Sequence, residues 1–204
     1  MIVVGLTGGI GAGKSTVSTM LAERGAVIVD ADAIVRELQA PGAPLLDVLA
    51  ARFGPGIIDS HGALDRAALA AIVFDDQSAL DDLNALVHPA VRAEIAVRVR
   101  ARADTDDVVV LDIPLVTDPR RDGMEALVVV DAPVEVAVER LVAQRGMSEA
   151  DARARVDKQL SRHERVAIAD LVIDNGGDRE SLVRQVDEAW RWMRSLPPVV
   201  LDPG

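Results

Sequence analysis

Cysteine and tyrosine are absent from this 204-residue chain, lysine occurs only at positions 14 and 158, and aromatic residues make up 2% of the whole. Without cysteine there is no disulfide, no thiolate metal site and no cysteine nucleophile, and a reducing compartment is permitted. With so few rings in a chain that is 50% hydrophobic, the core has to be built from Val, Leu, Ile and Ala, a composition that suits a buried parallel sheet under helices. No apolar run approaches the roughly 20 residues needed to span a bilayer. The first residues carry no basic stretch of the secretory kind, so the expectation is a soluble cytoplasmic protein. Positive charge is short as well: 22 Lys and Arg against 33 Asp and Glu leave a formal charge of −11, which argues against general affinity for nucleic acid or an anionic membrane. Any phosphate site must therefore be local. The length allows one substantial core with an inserted or appended subdomain.

What is present is a series of short Val/Ile-rich runs ending in Asp or Asn: "IVVGLTG" at 2–8, "AVIVDAD" at 26–32, "VVVLDIP" at 108–114, "LVVVDAP" at 127–133 and "LVIDNGG" at 171–177. Each reads as a buried strand with a polar loop at its C-terminal end. Five such strands separated by helical patterns predict an α/β fold with a parallel sheet whose ligands sit at the carboxyl ends of the strands. Val17, Met20 and Leu21 mark the apolar face of a first helix that Gly25 ends. Residues 33–101 hold no strand pattern; Leu80, Leu83, Val87, Val91, Ile95 and Val99 recur at helical spacing, with Pro89 expected to kink or break the helix. This long insertion reads as a helical substrate-binding lobe. Residues 148–166 open with the capping pattern Ser148 to Asp151 and continue as a very polar helix, either a solvated face or a mobile lid. A last helix over about 178–196 buries Leu182, Val186, Trp190 and Met193, and "PPVVLDPG" reads as a linker or frayed end.

The densest signal is "GLTGGIGAGKST" at 5–16, five glycines and a lysine directly behind the first strand. A dinucleotide fingerprint G-x-G-x-x-G started at Gly9 and Gly11 puts Lys14 at its last position and fails. The polyphosphate pattern G-x-x-x-x-G-K-[ST] fits as Gly8, Gly13, Lys14 and Ser15, between a strand and a helix. Backbone amides and the helix N-terminus would surround a β-phosphate, Lys14 would bridge β- and γ-oxygens, and the Ser15 hydroxyl would ligate Mg²⁺. In a chain whose basic residues are nearly all arginine, a lysine in this loop points to a place where a compact ammonium is needed.

Phosphoryl transfer also requires an oriented acceptor and cations for the transferring oxygens. Asp30 and Asp32 alternate and would project to one side if the strand runs on. Asp112 is the best candidate for a carboxylate that positions Mg²⁺ through water; Asp131 is a weaker rival, read in preference as a cap for the helix behind Pro133. Of the late arginines 140, 145, 153, 155, 162 and 165, most read as solvated, while one or two are expected to reach over the phosphates as a charge clamp, Arg140 first among them. His88 serves equally as a substrate contact or a structural cap.

With these residues in hand the chain resembles the dephospho-CoA kinase family, over essentially all of residues 1–196. The resemblance is carried by "GLTGGIGAGKSTV" at 5–17, "DADAIVRE" at 30–37, "HPAVR" at 88–92, "DIPL" at 112–115, "ERLVAQRGMSEADARARVDKQLSRHER" at 139–165 and "ADLVIDNGG" at 169–177. It implies a P-loop kinase domain over 1–204 with a five-stranded parallel sheet and helices on both faces. The core would comprise 1–32, 104–140 and 167–196, with a helical CoA-binding lobe at 33–103, a small helical lid at 141–166 and a tail at 197–204. It further implies transfer of the ATP γ-phosphate, with Mg²⁺, to the ribose 3′-hydroxyl of dephospho-CoA by a monomer or weak homo-oligomer.

Carried over by position, Asp32 is the general base, Lys14 the phosphate bridge and Arg140 the lid-side clamp. Gly8, Gly9, Ile10, Gly11, Ala12, Gly13, Lys14, Ser15 and Thr16 hold the ATP phosphates, while Asn175 and Gly176 flank the adenine. Arg36, His88, Arg92, Asp112, Pro114 and Leu115 fall on the acceptor side. The chain departs from the family after "DIPL", where it reads "VTDPRR", with Thr117 and Asp118 in place of the usual aromatic residue and Glu.

Three other readings remain in view. A nucleoside monophosphate kinase would use the same scaffold, and the helical insertion with His88-Pro89 speaks against it. A GTPase switch would explain "DSHG" at 59–62, a D-x-x-G match, but N-K-x-D is absent from the chain and the match falls in the helical insertion. An inactive nucleotide-binding module is disfavoured by intact Lys14, Asp32 and Asp112.

Overall fold

The computed structural model describes residues 1–114 and 123–199. In chain order these form β1 (Ile2–Gly8), α1 (Lys14–Glu23), β2 (Val27–Asp30), α2 (Ala31–Leu38), α3 (Pro44–Phe53), a 3₁₀ turn (Pro55–Ile57), α4 (Arg66–Val73), α5 (Gln77–Arg100), β3 (Val108–Asp112), β4 (Ala126–Asp131), α6 (Val134–Arg145), α7 (Glu149–Asp157), α8 (Arg162–Ala167), β5 (Leu171–Asp174) and α9 (Arg179–Met193). They make up two compact units, residues 1–29 with 101 onward, and residues 30–100.

The first unit is built on a five-stranded parallel sheet of order β2-β3-β1-β4-β5. β1 pairs in parallel with β3 from Ile2↔Val108 to Leu6↔Asp112 and with β4 from Val4↔Ala126 to Gly8↔Val130. β4 continues to β5, ending at Asp131↔Asp174. Because successive side chains point to opposite faces, Val4, Leu6, Val108, Val110, Val128, Val130 and Ile173 share one face. There they pack with Val17, Met20 and Leu21 of α1 and with Leu182, Val186, Ala189 and Met193 of α9. Val3, Val109, Leu111, Leu127 and Val129 point to the other face and are just as buried. A sheet covered on both sides needs apolar residues at every position, which is why these strands are continuous apolar runs rather than alternating ones. Each fully buried Val or Leu contributes roughly 1.5–3 kcal/mol relative to exposure.

The second unit is helical, with α2, α3 and α4 each packed on the 24-residue α5. Pro89 lies inside α5 and does not break it. Val87 and Val91 on either side of it are buried, so packing of this face outweighs the single backbone bond that the ring removes. The Asp59 side chain accepts from the His61 and Ala63 amides at 2.8 and 2.9 Å, so "DSHG" folds as a side-chain-closed turn.

Two further boundaries differ from the sequence expectation. β2 ends at Asp30, whose carboxylate accepts the Ala33 amide at 3.0 Å and caps α2. Asp30 and Asp32 are therefore not alternate residues of one strand, and Asp32 stands in the first turn of a helix. α9 ends at Met193 rather than 196, and of the four residues assigned to its buried face Trp190 is only partly buried. The tail is tied at its start by the Val199 amide, which donates to the Met1 carbonyl at 3.0 Å.

Candidate active site

The glycine loop joins the end of β1 to the head of α1 at the centre of the sheet. Gly11 and Gly13 have φ of +77° and +88°, backbone that L side chains rarely adopt. A Cβ at Gly13 would also collide with Nδ2 of Asn175. That amide instead donates to the Ala12 carbonyl at 2.8 Å, and the Arg140 guanidinium donates to the Asn175 carbonyl at 2.8 Å and to Ala12 at 3.4 Å. The loop is thus pinned from outside by β5's exit and by α6. Gly13 is the N-cap of α1 and supplies no side-chain acceptor. The Thr16 and Val17 amides donate to the Gly13 carbonyl, while those of Lys14 and Ser15 have no acceptor among the described residues and with the helix dipole form an anion site.

Lys14 opens α1, and its ammonium pairs directly with Oδ1 of Asp112 at the end of β3. The two side chains are 19% and 8% exposed. β3 is held in place here by the Ile113 amide, which donates to the Leu6 carbonyl at 3.0 Å, and by the Thr7 hydroxyl, which donates to the Pro114 carbonyl at 3.3 Å. Ser15 and Thr16 stand exposed on the first turn of α1.

The opposite wall comes from the polar segment 148–167, which is two helices rather than one. Ser148 caps α7 through the Asp151 amide as expected. Ser161 and Glu164 form a complete capping box that starts α8. This segment is anchored, not solvated throughout. The Ile10 amide of the loop donates to Oε1 of Gln159 at 2.8 Å. Arg162 donates to Oδ2 of Asp131 at 2.6 Å, and Arg165 lies against Gly9, where an added Cβ would come within 2.8 Å of Nη2. Arg153 bridges Glu135 of α6 and Glu149 of its own helix.

Asp131 does not cap α6: the N-cap is Pro133, without a side-chain bond. Its carboxylate is 2% exposed and faces arginine. Burial lowers the affinity of the Arg165 guanidinium for its proton, the Asp131 carboxylate raises it, and the Arg162 charge lowers it again.

Gly8 to Thr16, Asp112, Pro114, Arg140, Asn175 and Gly176 thus converge in the first unit at the carboxyl ends of the strands. Asp32, Arg36, His88 and Arg92 belong to the second unit. Asp32 and Arg36 are one turn apart and exposed on α2, where Arg36 stands 3.7 Å from Asp30. His88 and Arg92 are one turn apart and exposed on α5. Leu115 and the "VTDPRR" run lie outside the described residues. Gln159 and the paired role of Asp131 were missed as site features, and Arg162 and Arg165 stood only among the late arginines of which Arg140 was the first choice. The available signal was Ser-x-x-Glu at 161–164, which marks a helix start and sets Gln159 ahead of it and both arginines behind it.

Among the described residues no group of His, Asp and Glu has the spacing of a protein-only metal site, and no helix is long and apolar enough to cross a membrane. The family model for dephospho-CoA kinase matches residues 2–180. A dephospho-CoA kinase of Thermobifida fusca is 47% identical over 191 residues, 93% of this chain and 95% of that protein. One of Streptomyces avermitilis is 48% identical over 194 residues, 93% of each. The crystal structure of TT1252 from Thermus thermophilus superposes with a TM-score of 0.76 at 33% identity, covering 94% of this chain and 97% of that one. A match of this length, on a chain with the phosphate loop intact, places the protein in the dephospho-CoA kinase family.

Proposed function

We propose that this enzyme transfers the γ-phosphate of Mg-ATP to the ribose 3′-hydroxyl of dephospho-CoA, giving coenzyme A and ADP. The observation that carries it is the Lys14–Asp112 pair at the head of α1, beside the uncommitted Lys14 and Ser15 amides that follow the glycine loop, in a chain of this family. The loop Gly8–Thr16 wraps the phosphates. Lys14 follows the charge that builds between β- and γ-oxygens. Mg²⁺ suits the hard oxygen donors present, the Ser15 hydroxyl directly and Asp112 through water, and when bound it neutralises phosphate charge. Arg140, already fixed by the Ala12 and Asn175 carbonyls, keeps a positive charge next to the loop. Asn175 and Gly176 flank the adenine with backbone, since the Asn175 side chain is committed to Ala12.

Residues 33–103 are the acceptor lobe, with Arg36, His88 and Arg92 meeting dephospho-CoA together with Asp112, Pro114 and Leu115, and residues 141–166 are the lid. Asp32 takes the proton of the 3′-hydroxyl as the new O–P bond forms and the bond to the ADP oxygen breaks. Its support is that Asp32 is exposed in the first turn of α2 and has no hydrogen-bond or ion-pair partner among the described residues, whereas Asp30 is used as a cap. Cytoplasmic location follows from the substrates.

The test is phosphate transfer from Mg-ATP to dephospho-CoA, with adenosine and AMP as competing acceptors. Preferential formation of coenzyme A supports the assignment. Preferential phosphorylation of AMP would transfer the protein to the monophosphate kinases.

A further inference from the structure

The structure assigns Asp131 a part in nucleotide binding: we infer that it is a positioning residue, which holds Arg162 and with it the start of α8 at the head of the phosphate loop, so that Arg165 on the same helix presents its guanidinium to the polyphosphate. This rests on the loop being the ATP site. Asp131 is the last residue of β4, one position beyond the Gly8↔Val130 pair, and its main-chain carbonyl accepts the Asn175 amide at 2.7 Å. Its backbone is therefore fixed relative to both the loop and its outer support.

The carboxylate is almost entirely withdrawn from water. Arg162 places both Nε and Nη2 on Oδ2, each at 2.6 Å, so Oδ1 is buried and unbonded. Arg165 is unbonded at its buried Nε, donates from Nη1 to the Leu160 carbonyl, and lays Nη2 against Gly9. A buried carboxylate is costly to desolvate and is kept where it meets compensating charge. The carboxylate is bonded to Arg162 alone and acts on the Arg165 guanidinium through its charge, without an ion pair, so these three groups together carry one net positive charge beside the loop. Arg165 makes no ion pair among the described residues, so its charge is not spent on a surface partner. The interaction of Asp131 with Arg165 also counters the effect of burial on that guanidinium.

The experiment compares the full-length wild type with Asp131→Asn, Asp131→Glu, Arg165→Met and the double variant Asp131→Asn/Arg165→Met. ATP affinity is read by calorimetry, KM is measured separately for ATP and dephospho-CoA, and thermal melts are recorded. Asp131→Asn is expected to raise the ATP Kd and KM at least fivefold while the KM for dephospho-CoA stays within twofold. Asp131→Glu should recover most of the loss. In the Arg165→Met background Asp131→Asn should add less than twofold, because both act through one guanidinium. A lowered melting temperature with the ATP Kd within twofold of wild type, or effects that multiply in the double variant, would overturn the inference. If Asp131→Asn does not fold, Arg165→Met decides alone: an unchanged ATP Kd rejects the assignment. Since calorimetry with ATP needs no acceptor, failure to phosphorylate dephospho-CoA would overturn the acceptor reading and leave this one standing.

Discussion

Lys14 and Asp112 form an ion pair that joins the first residue of α1 to the last residue of β3, with both side chains largely shielded. Removing one partner of such a pair strands the other charge. Lys14→Met should therefore lower kcat/KM for ATP by two orders of magnitude or more, about 3 kcal/mol of transition-state stabilisation, and should also lower the melting temperature. A variant with near-normal turnover would exclude the lysine from charge stabilisation.

Asp32→Asn separates binding from chemistry. The ATP Kd should stay within twofold, while kcat falls about 10²- to 10⁴-fold, the usual worth of a general base. Calorimetry and steady-state rates check this together, and unchanged turnover would remove Asp32 from the base role.

Gly13→Ala meets two obstacles, a left-handed φ of +88° and the Asn175 amide. Roughly 1–3 kcal/mol of strain is expected, with the Asn175 to Ala12 bond broken and ATP affinity lost. A melt indistinguishable from wild type would show that the loop can refit around a methyl group.

Gln159→Ala removes the acceptor of the Ile10 amide and with it about 1 kcal/mol of attachment between the loop and the segment 148–167. Hydrogen exchange over 148–167 should accelerate severalfold while α9 stays protected. Equal protection in both proteins would mean the bond does not restrain the segment.

Acid should release the same segment early. The Arg153 guanidinium holds the Glu135 carboxyl below the usual carboxylate range, and the Ser161 hydroxyl and amide do the same for Glu164. Both groups are depressed in the folded state. Their contribution is complete above the unfolded-state value of about 4.3 and fades as pH falls through the lower folded values. Protection of the α7 and α8 amides, corrected for the intrinsic exchange rate at each pH, should fall before that of β1 as pH is lowered from 7 to 3. Simultaneous loss of all three would sink the idea.

The strands were legible because a sheet buried on both faces leaves continuous Val/Ile/Leu runs; four of the five observed strands fall within those runs, and β4 begins one residue earlier, at Ala126. The phosphate loop was legible because few backbones other than a left-handed turn at a helix start need glycine at 11 and 13 followed by Lys14. The end of β2 was not: "DAD" fits alternation on a strand as well as a cap followed by a first turn. What decided it was the Asp30 bond to the Ala33 amide, a contact between residues three apart. Of the kink or break expected at Pro89 the break does not occur, because the local cost of proline is plain in the sequence whereas the packing of Val87 and Val91 is not. The placement of Gln159, Arg162 and Arg165 was hidden for a related reason. A polar side chain has the same character whether it meets water or a buried carboxylate, and only the tertiary fold supplies Asp131.

β1 sits in the middle of the sheet, yet its partners come much later in the chain: Ile2 pairs with Val108, and Gly8 with Val130. A polypeptide growing from its N-terminus therefore exposes the glycine loop long before the strands that hold it exist. Closing such distant pairings is slow, since the chain gives up its freedom before the contacts repay it. A translation product halted before residue 126 would carry β1 with one flank unpaired, an apolar edge open to association with other chains.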